Sequence, residues 1–561
     1  MRLTKPFQSV SMLRLTAACC VAIGFFLNLG GWPLFDVDEG AFSAATSEML
    51  RSGNWITTYN YGVPRFDKPI LIYWAQALSV TLFGSNEWAF RLPSALAAAI
   101  WAWVLWRFAR ENLGDALALR AVALLSLSLG SLGIARFASA DALLNLWLAL
   151  AFCDLYRYWK QPKPGLRARI FLWLALGALT KGPIGMLIPF VSGFLFYASS
   201  GKLKIFLNSV CNPYGWAILI AVAAPWYIAA YLDQGQAFID GFIMQHNVGR
   251  FTETLEGHGG NWLYYLPALV LLVLPYSGLL VARLAQRPLI RIDPIERYCV
   301  LTFSFVFLFF SMSSTQLPHY LLYAMTPLCL LLANASAGVR SATLVYLPAV
   351  LLLLLFAALP ELCRVVAGDI ANAQQRAAIE LAGEHAGPAY YAITAIGVVT
   401  VIALWCYYRR HPEGGFIKLG LVQAFVLVLA ALPFLGQTLQ GPIKEAALFA
   451  AQLPALKPAQ LLANEQAFPK AETEVEEAAQ EEREQNTLGA AWQAKTVVLH
   501  KAHLPSLITY SELNIVRRTP RSCEHVITRI QHIDTLPKHT LLFNRGGIVV
   551  AAIDCPSAAD L

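Results

Sequence analysis

The short stretch Phe35–Pro69, directly after the first apolar segment, holds Asp36, Asp38, Glu39, Asp67 and Lys68. Carboxylates gathered beside an apolar run suit proton transfer or the orientation of a nucleophile. A carboxylate next to an ammonium, as in Phe66-Asp67-Lys68-Pro69, suits either a loop salt bridge or the holding of an anion. Asp38 either caps the helical-looking stretch that follows it or works at the start of that helix. Other positions offer comparable chemistry: Asp141 in RFASADALLN, Lys181 in LTKGP, His246 and Arg250 in HNVGRF, and His319 and Tyr320 after Gln316-Leu317-Pro318. His246 is a possible metal ligand and Arg250 a guanidinium suited to phosphate. Bland roles compete at each place: a helix cap for Asp141, a snorkelling cation for Lys181.

The elements that must position these groups are membrane helices. The chain has 561 residues, 57% of them hydrophobic and 14% charged, with a mean hydropathy of +0.53; soluble domains carry about 25% charged residues. Apolar runs of near-spanning length recur from Leu15 to Phe434, giving about thirteen expected transmembrane helices. The net charge of +7 does not point to nucleic acid, because Lys and Arg cluster in short loops between apolar runs, as membrane topology requires. Basic residues precede the first apolar segment without a small-residue cleavage site, so Leu15–Trp32 is expected to be a retained anchor.

Charge also sets the topology. Arg157, Lys160, Lys163, Arg167 and Arg169 precede the short run Ile170–Thr180, and Lys202 and Lys204 follow Ile184–Ser199. If both clusters are cytoplasmic, the chain goes out and returns between them, which puts Lys181 at an outer hairpin tip. The same logic puts Gln316-Leu317-Pro318 at a second tip. All the candidate groups named above then fall on the outer face. Residues 1–436 form the expected membrane domain, with a first outer loop, 34–91, holding interfacial helices. Phe42, Ala45, Met49 and Leu50 at helical spacing predict one amphipathic helix there.

Residues 437–561 read differently. A polar linker with an acidic tract (Glu472, Glu474, Glu476, Glu477, Glu481, Glu482, Glu484) leads to strand-like TVVLH, LNIVRR, HTLLFN and GIVVAAI, with a helical stretch near Pro505–Tyr510. This predicts a small extracytoplasmic α/β domain of roughly 70 residues. Of ten cysteines, Cys523 and Cys555 fall in this domain, where an oxidising compartment permits a disulfide.

DEG before an SEML-type helix, GNW, FDKPILIYW, RLPS, SADALL, LTKGP, APWY, HNVGRF and QLPHYLL occur in the order seen in bacterial aminoarabinose transferases. The chain resembles that group, related to protein O-mannosyltransferases and sharing the GT-C fold. The resemblance implies transfer of a sugar from a polyprenyl phosphate donor to an envelope acceptor, lipid A or another glycolipid or glycan, at the periplasmic face of the inner membrane. It implies Asp38 as the main catalytic carboxylate and Asp141 as a second. It implies Lys68, Lys181, Arg250 and Tyr320 around the donor phosphate, and Asp67 with His246 sharing a divalent metal. Glu39 and His319 are further site candidates. Family members often carry Arg three positions after the catalytic Asp, where this chain has Ala41. A protein O-glycosyltransferase of the same fold is the nearest alternative. A lipid flippase or transporter is the alternative of another class, although such proteins place ionisable groups near the bilayer midplane rather than at helix ends.

Overall fold

The structure, a computed structural model, describes residues 10–249, 252, 259–285, 293–454, 495–511 and 513–555. The acidic tract and Arg250 lie outside the described residues.

Within them, six helices are individually long and apolar enough to cross a membrane: Glu87–Leu113, Pro213–Gln234, Pro294–Ser311, Ala342–Asp369, Pro388–Tyr408 and Phe416–Gln452. The pair Asp115–Leu127 and Leu129–Ala135, bent by 65°, makes a seventh if it is one span. The other expected spans are shorter or carry more charge. The first is Val10–Phe26, and Asp141–Lys160 holds Asp154, Arg157 and Lys160 besides Asp141. The basic-cluster argument for a hairpin holds in outline: Pro164–Lys181 and Ile184–Ser199 are separate helices joined at Gly182-Pro183. The first of them begins six residues earlier than its apolar run, because Pro164 at the helix start is compatible with the missing N–H donor.

Two buried arginines hold the end of the first helix. The last carbonyls of a helix lack intrahelical partners. Arg136 donates to the carbonyls of Gly24, Leu27 and Ile23 at 2.6, 2.7 and 2.8 Å. Arg91 donates to the carbonyls of Leu29, Trp32 and Pro33 at 2.9–3.0 Å. The chain is thereby fixed where it enters the Asp36–Asp38 turn.

The Asp38–Ser52 helix forms as the spacing predicts, and it is enclosed by protein on both faces. Its run Glu39–Met49 is buried throughout. Phe42, Ala45 and Met49 pack against the Leu71–Phe83 helix, while Ala44 joins the core of the C-terminal domain. Small residues on that second face allow a close approach: a Cβ at Gly40 would stand 1.7 Å from Asp36 Oδ1 and 2.9 Å from Ser506 N. A short hairpin, β1 (Thr58–Asn60) and β2 (Val63–Arg65), follows the helix.

The C-terminal domain is a five-stranded sheet of β3 (Thr496–Leu499), β4 (Asn514–Arg517), β5 (His525–Arg529), β6 (His539–Arg545) and β7 (Ile548–Ile553) in the order β4-β3-β5-β7-β6. β3 is parallel to β4 and β5, and β7 is antiparallel to β5 and β6. Cys523 and Cys555 are bonded to each other. The final membrane helix continues past residue 436 to Gln452, and its Ile443, Ala446, Ala447 and Ala450 pack into the same core as β3, β5 and β7.

The helix Ser506–Ser511 docks this domain onto the Asp36 turn and the Asp38–Ser52 helix. Ser506 donates from N and Oγ to the two Asp36 oxygens at 3.0 and 2.7 Å, and Thr509 donates to Ser43 Oγ at 3.1 Å. Burial pushes the Asp36 carboxyl up to about 7, against the Ser506 bonds and the Arg529 charge. An unfolded Asp titrates near roughly 3.9, so in the window between those values the folded chain holds the proton more tightly. Stability from this contact is therefore full at low pH and declines as pH rises towards 7. Asp36→Asn is expected to remove that slope: the difference in melting temperature between variant and wild type should change from pH 5 to pH 8. A constant difference would show that Asp36 stays ionised.

Candidate active site

A cavity of ≈ 1370 Å³ lies between one set of ends of the membrane helices, the β1–β2 hairpin and the C-terminal domain. It is lined by Asp38, Asp67, Lys68, Asp141, Lys181, His246 and His319. Seven of the groups singled out in the sequence, from segments far apart along the chain, thus share one space.

Asp38 opens the Asp38–Ser52 helix but does not cap it: Val37 is the N-cap residue and its side chain makes no cap bond. The Asp38 side chain is exposed to the cavity. Glu39, its neighbour, turns the other way. It is fully buried and receives Arg91 Nε and Nη2, each at 2.8 Å, with the amides of Ala138 and Phe35 at 2.8 and 3.0 Å. Glu39 is therefore a structural carboxylate that fixes the turn carrying Asp38, and its expected place in the site is corrected.

Lys181 reaches back from its hairpin tip and donates to Asp141 Oδ1 at 2.5 Å; Tyr323 donates to the same oxygen at 3.0 Å. The ammonium also lies 5.7 and 5.3 Å from the ring centroids of Tyr320 and Tyr323, within cation–π range. Asp141 thus positions a cation in the wall. Tyr320 is buried beneath it and does not line the cavity. Tyr323, three residues on, carries the bond that sequence reading missed.

His319 Nε2 lies 4.0 Å from Asp141 Oδ1. Burial pushes its imidazole down to about 4, with Asp141 and Asp38 pulling up and Lys181 and Lys68 pushing down. It is a neutral donor or acceptor near pH 7.

Asp67 binds His246 Nε2 through Oδ1 at 2.8 Å and Arg65 Nη2 through Oδ2 at 2.7 Å. Burial works to raise this acid, but the His246 bond and the Arg65 and Lys68 charges hold it well below the usual carboxylate range. The buried His246 Nδ1 has no hydrogen-bond partner among the described residues. Carboxylate and imidazole are ligand types a divalent ion accepts. Among the described residues no three His, Cys, Asp or Glu side chains converge to complete a protein-only site, so remaining positions would fall to water or a phosphate. Arg65 further donates to the Ala41 carbonyl at 3.2 Å and the Tyr73 hydroxyl at 2.9 Å. Arg65, His503 and Arg517 also line the cavity; none was singled out, since the C-terminal pair comes from over 400 residues away.

Residues 67–228 match the family model described as dolichyl-phosphate-mannose-protein mannosyltransferase. An undecaprenyl phosphate-alpha-4-amino-4-deoxy-L-arabinose arabinosyl transferase of Serratia proteamaculans is 28% identical over 325 residues, covering 56% of this chain and 57% of that protein. Its counterpart in Aeromonas hydrophila is 30% identical over 315 residues, covering 55% and 57%. The match spans somewhat over half the length of these curated relatives. The crystal structure of ArnT from Cupriavidus metallidurans bound to undecaprenyl phosphate superposes with a TM-score of 0.72 at 18% identity, covering 97% of this chain and 98% of that one. The resemblance read from the motifs therefore holds, and the chain has the GT-C fold of a multi-pass membrane protein with a small C-terminal sheet domain.

Proposed function

We propose that this chain is a membrane glycosyltransferase that moves a sugar from a polyprenyl phosphate to an envelope acceptor, in the manner of the arabinosyl transferases it resembles. The observation that carries the reading is the Asp38 carboxylate, open to a cavity that Lys68, Lys181 and His319 also line. Displacement at an anomeric carbon needs negative charge stabilised on the departing phosphate. Fixed cations in a site of reduced dielectric provide that without reorganising. Lys181 is held for this by Asp141, and Lys68 is held through its bond to the Asp67 carbonyl at 2.9 Å. The HNVGRF motif makes Arg250 a further candidate for binding the donor phosphate. A divalent ion at Asp67 and His246 would add charge stabilisation beside the phosphate. Asp38 takes the proton of a hydroxyl acceptor or orients an acceptor that is already ionised.

In this reading the cavity opens on the periplasmic side of the inner membrane. Engineered thiols next to Lys181 should label from outside and those next to Lys163 should not. The activity is tested with purified protein, a sugar-charged undecaprenyl phosphate and extracted envelope lipids and proteins as separate acceptors. Transfer to lipid supports the proposal, with a loss on chelation marking the metal. Transfer to protein alone favours the protein O-glycosyltransferase, and transport of the intact donor lipid without transfer would overturn the enzyme.

A further inference from the structure

A second cavity, of ≈ 610 Å³, opens between the helices Val10–Val21 and Glu87–Leu113, with Val122 of the Asp115–Leu127 helix in its lining. Ala17 and Ala18 stand on one flank and Ala99 and Ala102 on the other. These short side chains leave a furrow where larger ones would close the two helices on each other. Ala18 is exposed and Trp103 is 56% exposed, so the furrow opens on the surface that faces lipid. Association inside a bilayer rests on packing contact rather than on escape from water, and a furrow of this shape offers such contact to an alkyl chain.

The charge around the furrow has one sign. Arg14, Arg107 and Arg110 all line it, and only Arg110 has a counter-ion there, Asp115 at 2.9 Å. Arg14 and Arg107 are exposed and form no ion pair among the described residues. The Arg107 guanidinium lies 5.2 Å from the Trp103 ring centroid, a cation–π contact that keeps it at the furrow. The nine residues before Val10 carry Arg2 and Lys5 and no acidic residue, so that segment does not supply the missing negative charge. Depth is fixed by the Glu87–Leu113 helix. At its start, Glu87 accepts from the Tyr510 hydroxyl of the C-terminal domain at 3.2 Å. Arg107 follows twenty residues later, roughly 30 Å along the helix, which is about the thickness of a hydrocarbon core. Arg14 and Arg107 therefore stand at headgroup level in the leaflet opposite the C-terminal domain, where an exposed Trp103 is also at home.

We propose that this furrow binds an anionic glycerophospholipid of that leaflet, with its phosphate between Arg14 and Arg107 and an acyl chain along the alanine flanks. Guanidiniums take a phosphate diester through charge-assisted bonds, and basic recesses between transmembrane helices suit such headgroups. A zwitterionic lipid brings its own ammonium beside the arginines and fits less well. The lipid has a structural task. Arg136 and Arg91 fix the chain at the far end of the first helix; the lipid ties the near end to the Glu87–Leu113 helix. The inference is independent of the transferase reading, since it uses no residue around Asp38.

The test is lipid retention by full-length protein in detergent, read by native mass spectrometry. Phosphatidylglycerol and phosphatidylethanolamine of matched chains are supplied together to wild type, to the Arg14→Gln/Arg107→Gln pair and to the Arg409→Gln/Arg410→Gln pair. Two arginines at the membrane surface set an expected preference of about tenfold or more for phosphatidylglycerol in wild type. The Arg14→Gln/Arg107→Gln pair should lose it. The other pair removes the same charge from two exposed arginines of a different loop and should keep it. Ala18→Leu, which fills the furrow and leaves the arginines in place, should weaken retention of both lipids. Phosphatidylglycerol should also raise the melting temperature of wild type but not of Arg14→Gln/Arg107→Gln; equal melting of the two proteins in phosphatidylethanolamine reports an intact fold. Wild type without a preference, an Arg14→Gln/Arg107→Gln pair that keeps it, or equal loss in both arginine pairs overturns the site. So does a lipid-free dimer that Arg14→Gln/Arg107→Gln splits, which would give the furrow to a second copy of the chain.

Discussion

Asp38→Asn is expected to abolish most sugar transfer while the protein folds and binds undecaprenyl phosphate as before. The Asp38 side chain is open to the cavity and does not cap its own helix. An isosteric amide therefore costs the fold little. A positioned general base contributes about 10²–10⁴-fold, and that is the expected fall in kcat/KM if the acceptor is a hydroxyl. A phosphate acceptor arrives ionised, needs only orientation, and puts the loss at the lower end of the range. Asp38→Glu should recover part of the rate, since it restores the charge one methylene further on. The measurement is transfer of labelled sugar by purified variant, with melting temperature and donor binding as controls. Wild-type turnover in a folded Asn variant would falsify the assignment.

What the sequence made legible, and what it hid, follows from the range of the interactions. Lys181 at a hairpin tip was readable because the basic residues on either side are local, and the structure puts it in the cavity wall. Asp67 and His246 are 179 residues apart, and their pairing was available only through the resemblance; the structure joins them at 2.8 Å. The Asp38–Ser52 helix was placed at the interface because Phe42, Ala45 and Met49 make a stripe. Its other face, with Gly40, Ser43, Ala44 and Ser47, is small and weakly polar. Such a face suits water and close packing equally, and only the Ser506–Ser511 helix decides for packing. Strand β5 escaped notice because HVITR is short and hemmed by charge. Its buried residues become evident once it pairs between β3 and β7. Glu39 was misread for a related reason: its partner Arg91 sits in RLPS at the head of an apolar run, where an arginine looks like a flank.

That pair carries the other large expected effect. Arg91 and Glu39 are both 0% exposed and joined by two parallel bonds of 2.8 Å. Arg91→Met should destabilise the protein by about 3–5 kcal/mol, because it leaves a buried carboxylate without its counter-charge. Replacing both partners with Met removes the stranded charge, yet recovery should be incomplete. Arg91 also serves the carbonyls of Leu29, Trp32 and Pro33, and Glu39 the amides of Phe35 and Ala138. Those backbone groups stay buried without partners in the double variant, and each costs about 1–3 kcal/mol when nothing replaces the bond. The order of stability is therefore wild type, double variant, single variant, read from thermal unfolding in detergent. Activity should follow a different order. Both variants loosen the turn between Pro33 and Asp38, so both should lose kcat at temperatures where they remain folded, with undecaprenyl phosphate binding largely kept. A double variant with full kcat would mean that Asp38 is held by its own helix alone, and that the buried pair serves stability without serving the site.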